Sequence, residues 1–533
     1  MLMKKRALAA LTAALMTALP LNYVPVSAAD PAPTSGLCGD ENSDISWEID
    51  ENGALTITGS GRMADFWTET GGIQTPWTRS EVTSATIGEG ITYVGAYSFC
   101  NCGALESVDL PDSLTEIGDW AFSGGEYVWS DSTYKLTAID IPANVTSIGD
   151  SAFYNLITLE EVTVPDSVSF VGARAFGNTP WLKAMKESSG GELLFIGSVL
   201  IDASGSEGEL VIPDGTTGVA GYTVSENKAL TSIVIPDSVQ YIGSNAFEYC
   251  YNVTSITIGS GVTSIGDEAF IGCNAMKEIS IPKNVSHIGS RALMAKVLEA
   301  INVDKDNPVY SSLDGVLFNK DRTVLLSYPT KKPDASYAVP DGVERLDPYS
   351  IYNISALKEV TLPDSLTSIG EYAFSYCNGL QTIVIPDSVT ELGNDAFERC
   401  GALRSVHVGS GVKSLSSSLF ASCSSLTDVE LSEGLETLER YSFCWCSALE
   451  HLTLPSTVKD IATEAFWCCL ELKDIELNSG LESIGPQCFY QCEKLDNVVI
   501  PDTVTSIGEK AFFECTSLKE IVIPADRLSN VKG

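Results

Sequence analysis

Histidine is almost missing from this chain. His287, His407 and His451 are the only three in 533 residues, which leaves few groups for acid–base work near neutral pH or for holding a transition metal. H-E-x-x-H, G-x-S-x-G and P-loop signatures are also absent, so the commonest local marks of metalloproteases, serine hydrolases and nucleotide hydrolases are missing. Positive charge is scarce, with 32 Lys and Arg against 70 Asp and Glu and a formal net charge of −38. Such a surface repels phosphate backbones and excludes nucleic acid as a partner. It suits solubility, divalent cations or a basic partner. Past the first 28 residues no stretch approaches the ~20 apolar residues that a membrane span requires.

Residues 1–28 carry the pattern of a secretory signal peptide. Lys4, Lys5 and Arg6 form the basic end, Ala7 to Leu21 the apolar core, and Val26-Ser27-Ala28 the small-residue cleavage site. The expected location is therefore secreted or cell-surface, with no transmembrane segment. Residues 29–37 read as a linker.

What is abundant is repetition. Phe374, Phe397, Phe420, Phe443, Phe466, Phe489 and Phe512 follow one another at 23-residue intervals. A fixed period of that size marks a solenoid whose units are turns of one coil. In the turn from Leu380 to Leu403, Ile383-Val384-Ile385 is a β-branched run that predicts a short strand. Pro386-Asp387-Ser388 ends it, and Val389 with Leu392 predicts a second extended piece. Ala396, Phe397, Cys400 and Leu403 then fall at i, i+1, i+4 and i+7, which predicts one face of a short helical turn.

The pattern I-P-D-S-V-x-x-I-G-x-x-A-F-x-x-C resembles the BspA-like leucine-rich repeats of bacterial surface and secreted proteins, over roughly residues 37–525. That resemblance implies a leucine-rich-repeat solenoid, with a stacked parallel β-sheet on the concave side and short extended or helical turns on the convex side. It also implies adhesion at the cell surface. Residues 38–80 lack the period and predict a β-hairpin N-terminal cap, in which Ile45–Ile49 and Ala54–Thr58 alternate around the turn Asp50-Glu51-Asn52-Gly53. Repeats occupy 81–180, 213–297 and 340–533, giving sixteen anchor positions. Hairpin insertions are expected at 181–212 and 298–339. The chain stops at Gly533, shortly after Pro524. Either residues 525–533 cover the last core face or the chain is a truncated product, and the second is favoured.

Fifteen cysteines in an exported chain invite a disulfide reading. Ten share one inward repeat position, among them Cys377, Cys400, Cys423, Cys446, Cys469, Cys492 and Cys515. Stacked turns place them about 4.8 Å apart with parallel Cβ vectors, which is unsuited to a disulfide. The expectation is a buried ladder of thiols serving as small apolar core residues. Cys444 and Cys468 lie off this ladder in adjacent turns and could pair.

Candidate ligand sites come from residues that the repeat turns outward. His407 is expected beside Glu430. His451 is expected between Asp428 and Asp474, near Glu476, as an acidic–imidazole patch that could hold a cation. Trp445 and Trp467 lie outward on the turn side. Tyr127, Trp129 and Tyr134 fall in an eight-residue excess between Phe122 and Phe153, where they could stack on a sugar ring. No cofactor is indicated. The reading is a non-enzymatic scaffold binding an extracellular protein or glycoprotein. The alternatives are a carbohydrate-binding module of a larger secreted assembly and, less favoured, a secreted hydrolase using His451.

Overall fold

The computed structural model of the chain describes residues 33–68, 72–125 and 134–522. The expected signal peptide, Tyr127, Trp129 and the last residues before Gly533 lie outside them.

Each repeat contributes two strands to two separate parallel ladders. The longer strands include Thr382–Ile385, Ser405–Val408 and Asp428–Leu431, and they stack in a 23-residue register: Thr382 pairs with Ser405, and Ser405 with Asp428. The shorter strands, such as Ser368–Ile369 and Glu391–Leu392, form the second ladder. Side chains alternate across the long strands, so Ile383 and Ile385 are buried while Thr382 and Val384 face out.

The segment around each anchor phenylalanine differs from the helical turn that the spacing predicts. Asp395 and Arg399, two residues either side of Phe397, both have φ of 57°, and the pattern recurs in turn after turn. Amide donors then take alternate routes. Glu398 and Cys400 donate to carbonyls three residues back, while Asp395, Phe397 and Arg399 donate to Ser417, Leu419 and Ala421 of the next turn, at 3.0, 3.0 and 2.7 Å. These inter-turn bonds form a third row and offset the roughly 1–2 kcal/mol cost of each left-handed residue. An α-helix would satisfy the same donors internally and leave adjacent turns unlinked.

Between the ladders the phenylalanines form a column. From Phe374 to Phe512 every neighbouring pair is stacked, with centroids 4.9–5.5 Å apart. The cysteine three residues on is buried in each repeat, but its thiol is more than an apolar filler. Cys400 Sγ donates to the Phe374 carbonyl at 3.1 Å, and Cys423, Cys446, Cys469, Cys492 and Cys515 each make the same bond to the phenylalanine 26 residues back. That carbonyl also accepts the Cys377 amide, so both of its lone pairs are used.

At the N-terminal end, Asp44–Ile49 pairs antiparallel with Ala54–Arg62. Ser35–Leu37, within the expected linker, adds a third strand against Trp47. Ala54–Arg62 enters both ladders, Leu55 opposite Ala85 and Gly61 opposite Ile91. Trp77 closes the phenylalanine column by stacking on Phe99 at 5.8 Å.

Both insertions contain hairpins and more. The first begins with an unexpected helix, Pro180–Ser189, capped by Thr179 and ended by Gly190 at φ 64°. Its hairpin is Leu194–Ile196 against Val199–Asp202. The second has three strands, with Tyr310–Leu313 added ahead of the expected pair Val316–Asn319 and Val324–Ser327. In each insertion the last strand joins the short ladder, Leu200 opposite Val219 and Leu325 opposite Leu346. These two strands and the cap strand raise the coil to about 19 turns rather than sixteen. The apolar core divides at the same two places into three clusters.

Candidate binding surfaces

The outward positions of the long ladder carry the polar groups. His407 Nδ1 lies 2.9 Å from Glu430 Oε2, directly across the register. His451 Nδ1 lies 2.7 Å from Asp474 Oδ2, again one turn on, and its Nε2 is 3.8 Å from Glu450. Thr453 donates to Glu476 at 3.1 Å. A hydrogen bond from Lys473 holds the Glu450 carboxyl below its ordinary value, and the same bond raises Lys473. The expected neighbour Asp428 does not join this group. Strand pairing stops after Asp428–Leu431, and Asp428 accepts instead from the Ser405 hydroxyl at 2.9 Å.

These pairs stand in solvent. His451 is 60 % exposed and Asp474 55 %, so each pair is worth roughly 0–1 kcal/mol. Among the described residues, no group of three or more His, Cys, Asp and Glu is arranged to hold a metal ion. Among the described residues, the partners of both imidazoles are carboxylates. What the arrangement offers is a ribbon of exposed acceptors with two titratable donors set in it.

The aromatic candidates separate. Tyr134 is 8 % exposed and its hydroxyl donates to the Gly124 carbonyl, so its ring packs inside and offers no face to a sugar. Trp445 is 47 % exposed. Trp467 is partly buried between Tyr441 and Tyr490, at 6.3 and 6.2 Å.

A larger aromatic surface surrounds them that the sequence reading passed over. The left-handed positions two before and two after each anchor carry Tyr97, Trp120, Tyr349, Tyr372, Tyr376 and Tyr441. Their rings stack along the turn face, Tyr97 on Trp120 at 6.0 Å and Tyr349 on Tyr372 at 4.9 Å. Arg399 and Arg440 lie over Tyr376 and Tyr441. Aligning the repeats on the phenylalanine would have exposed this periodicity.

A family model described as the BspA type leucine-rich repeat region, in six copies, matches residues 124–192, 202–313, 335–449 and 413–532. The chain belongs to this BspA-type family. Among solved structures it is similar to a leucine-rich repeat protein from Eubacterium ventriosum, at 22 % identity over 92 % of this chain and 97 % of that one, with a TM-score of 0.36. A leucine-rich repeat protein from Bacteroides ovatus aligns at 19 % identity over 90 % and 98 %, TM-score 0.38. A leucine rich cell surface protein from Faecalibacterium prausnitzii aligns at 20 % identity over 94 % and 98 %, TM-score 0.33. No curated protein matches the chain. BspA-type membership rests on the repeat model, to which these alignments add nothing. Among the described residues no helix is long and apolar enough to cross a membrane.

Proposed function

We propose that this BspA-type protein is an exported, non-enzymatic scaffold at the bacterial surface that binds an extracellular protein or glycoprotein. The observation that carries the reading is the exposed acidic face of the long strands, where Glu430 stands across the register from His407 and Asp428 from Ser405, and, in the separately paired strands further on, Asp474 stands across from His451 and Glu476 from Thr453. Periodic, solvent-facing carboxylates on a rigid sheet suit a partner with spaced positive charge, and complementary charge of this kind sets encounter rate and specificity. The signal-peptide pattern of residues 1–28 supports the location.

The test is binding of the purified chain to arrays of extracellular glycoproteins and of glycans, at low and high salt. Protein binding that weakens with salt, and weakens again in a Glu430→Gln, Glu476→Gln double variant, is the expected result. Binding indifferent to both, or confined to neutral glycans, would refute the acidic-ribbon reading. Any hydrolytic activity lost in His451→Ala would overturn the non-enzymatic part.

A further inference from the structure

The two insertions interrupt the third row of hydrogen bonds, and each interruption opens a cleft. In the turn of Phe153, the amides of Ser151, Phe153 and Asn155 reach the carbonyls of Ala173, Ala175 and Gly177 at 2.8, 2.7 and 2.9 Å. One turn later the corresponding amides are those of Arg174, Phe176 and Asn178, and none of them has an acceptor among the described residues. The chain leaves there into the helix Pro180–Ser189, and the returning strand Val199–Asp202 supplies only the short ladder. Ala203 takes the Thr223 carbonyl that the Phe176 amide would otherwise reach. The same happens at the second insertion: the amides of Arg291, Leu293 and Ala295 lack acceptors, and Tyr328 takes the carbonyl of Ser350.

The first cleft is a cavity of about 110 Å³. Arg174 and Phe176 form one wall, Ile201 and Tyr222 the other, and Leu182 and Lys186 of the helix close the side. The Arg174 guanidinium carbon lies over the Tyr222 ring, 3.6 Å from its centroid, and among the described residues no carboxylate is within ion-pair distance of it. In a chain so rich in acids, an unclaimed guanidinium beside three unclaimed amides is a concentration of donors with no acceptor. Lys186 adds no net charge, since Asp202 neutralises it.

We infer that the first cleft binds the carboxylate of a ligand, with the Arg174 guanidinium and the backbone amides of Arg174 and Phe176 as donors. A row of backbone N–H groups in a concavity is an anion site by its own dipoles, and guanidinium–carboxylate hydrogen bonds are among the stronger kinds. A monoanion fits better than a phosphate dianion. One positive charge is free, and Asp150, Glu248 and Glu268 are close enough to act on Tyr222. The volume admits the acid group rather than a whole sugar ring or residue, so an acidic sugar and a peptide C-terminus share this chemistry.

The second cleft is an internal contrast. It is larger, about 210 Å³, but Asp347 lines it where Ala220 lines the first, and Glu268 holds Arg291 at 3.1 Å. Arg345 claims Asp347 at 3.0 Å and Glu268 claims Arg291, so the second cleft has no free guanidinium to offer an anion. The site is independent of the ladder ribbon and stands or falls separately from it.

The experiment is calorimetric titration of the full chain with glucuronate and with N-acetyl-alanyl-alanine, each beside its methyl ester, together with hydrogen exchange at residues 172–178. Both acids are expected to bind and to slow exchange of the Arg174 and Phe176 amides. The esters and Arg174→Gln are expected to bind about tenfold or more weakly, as loss of a charge-assisted bond requires. Arg174 is exposed, so its replacement leaves the fold intact, which an unchanged circular dichroism spectrum verifies. Arg291→Gln is expected to bind like the parent. Binding by glucuronate alone, or by the dipeptide alone, identifies the source of the carboxylate. Equal binding by the esters, equal binding by Arg174→Gln, or no binding of either acid overturns the assignment.

Discussion

Replacing Phe443 with alanine is the most direct probe of how the coil is held together. Phe443 is fully buried, with Phe420 stacked on one side at 5.5 Å and Phe466 on the other at 5.4 Å. Truncating a buried phenylalanine costs about 3–5 kcal/mol in lost transfer and cavity energy. Each ring pair adds about 0.5–1.5 kcal/mol. Both neighbours lose a partner at once, so the expected cost lies at the top of the first range, roughly 4–5 kcal/mol. Stability in a solenoid is a sum over turns and nearest-neighbour interfaces, so the damage should be local. Hydrogen exchange is the suitable assay, because a long repeat array is not a two-state unfolder. Amides in the turns of Phe420, Phe443 and Phe466 should lose protection, while residues 45–170, which belong to a separate core cluster, should keep theirs. A cost under about 1 kcal/mol, or a loss of protection spread evenly from cap to last turn, would refute the stacked-column reasoning.

Three further outcomes are expected. Burial, first among the causes, pushes the thiols of Cys100, Cys102 and Cys377 up to about 12 and those of Cys250 and Cys515 up to about 11. The folded chain thus keeps protons that the unfolded chain releases. Stability should be full below about pH 9 and fall as pH rises toward about 12, by roughly 1.4 kcal/mol per pH unit for each such thiol. Urea midpoints across that range check it, and a flat profile would contradict it. Tyr241→Phe removes the hydroxyl that accepts the Val171 amide at 2.9 Å across the first insertion. Leaving that amide unmet should cost about 1–3 kcal/mol, with faster exchange at residues 168–172. His451→Ala breaks only an exposed pair and should change stability by less than about 1 kcal/mol; a larger loss in thermal unfolding would mean that the ladder face is structural.

Much of this fold is legible in one repeat. The run Ile383-Val384-Ile385, the break at Pro386 and the recurrence of phenylalanine at 23 residues suffice for the strand, the corner and the stacking direction. The helical turn around Phe397 did not follow. The spacing of Ala396, Phe397, Cys400 and Leu403 fits any tight turn with one buried side, and only the destination of the Asp395, Phe397 and Arg399 amides separates a helix from a row of inter-turn bonds. The helix Pro180–Ser189 was signalled, by Thr179-Pro180 at its start and Gly190-Gly191 at its end, but the hairpin beyond it drew the reading. For the candidate surface, alternation placed His407 beside Glu430 and His451 beside Asp474. Placing Asp428 beside His451 as well assumed an unbroken ladder, which strand pairing does not supply.

The sequence by itself determined the architecture, because a repeated pattern of apolar side chains has one low-energy way to bury itself: against its own copies, in register. It determined the family for the same reason, and the sign of the surface charge by composition. The tertiary structure alone decided where that regularity fails. Whether an inserted strand continues one ladder or both depends on which carbonyls remain in reach, and residue order does not encode that locally. The three core clusters, the tyrosine bridging the first break and the unclaimed amides beside Arg174 all arise there, where hydrogen-bond partners come from residues tens of positions away.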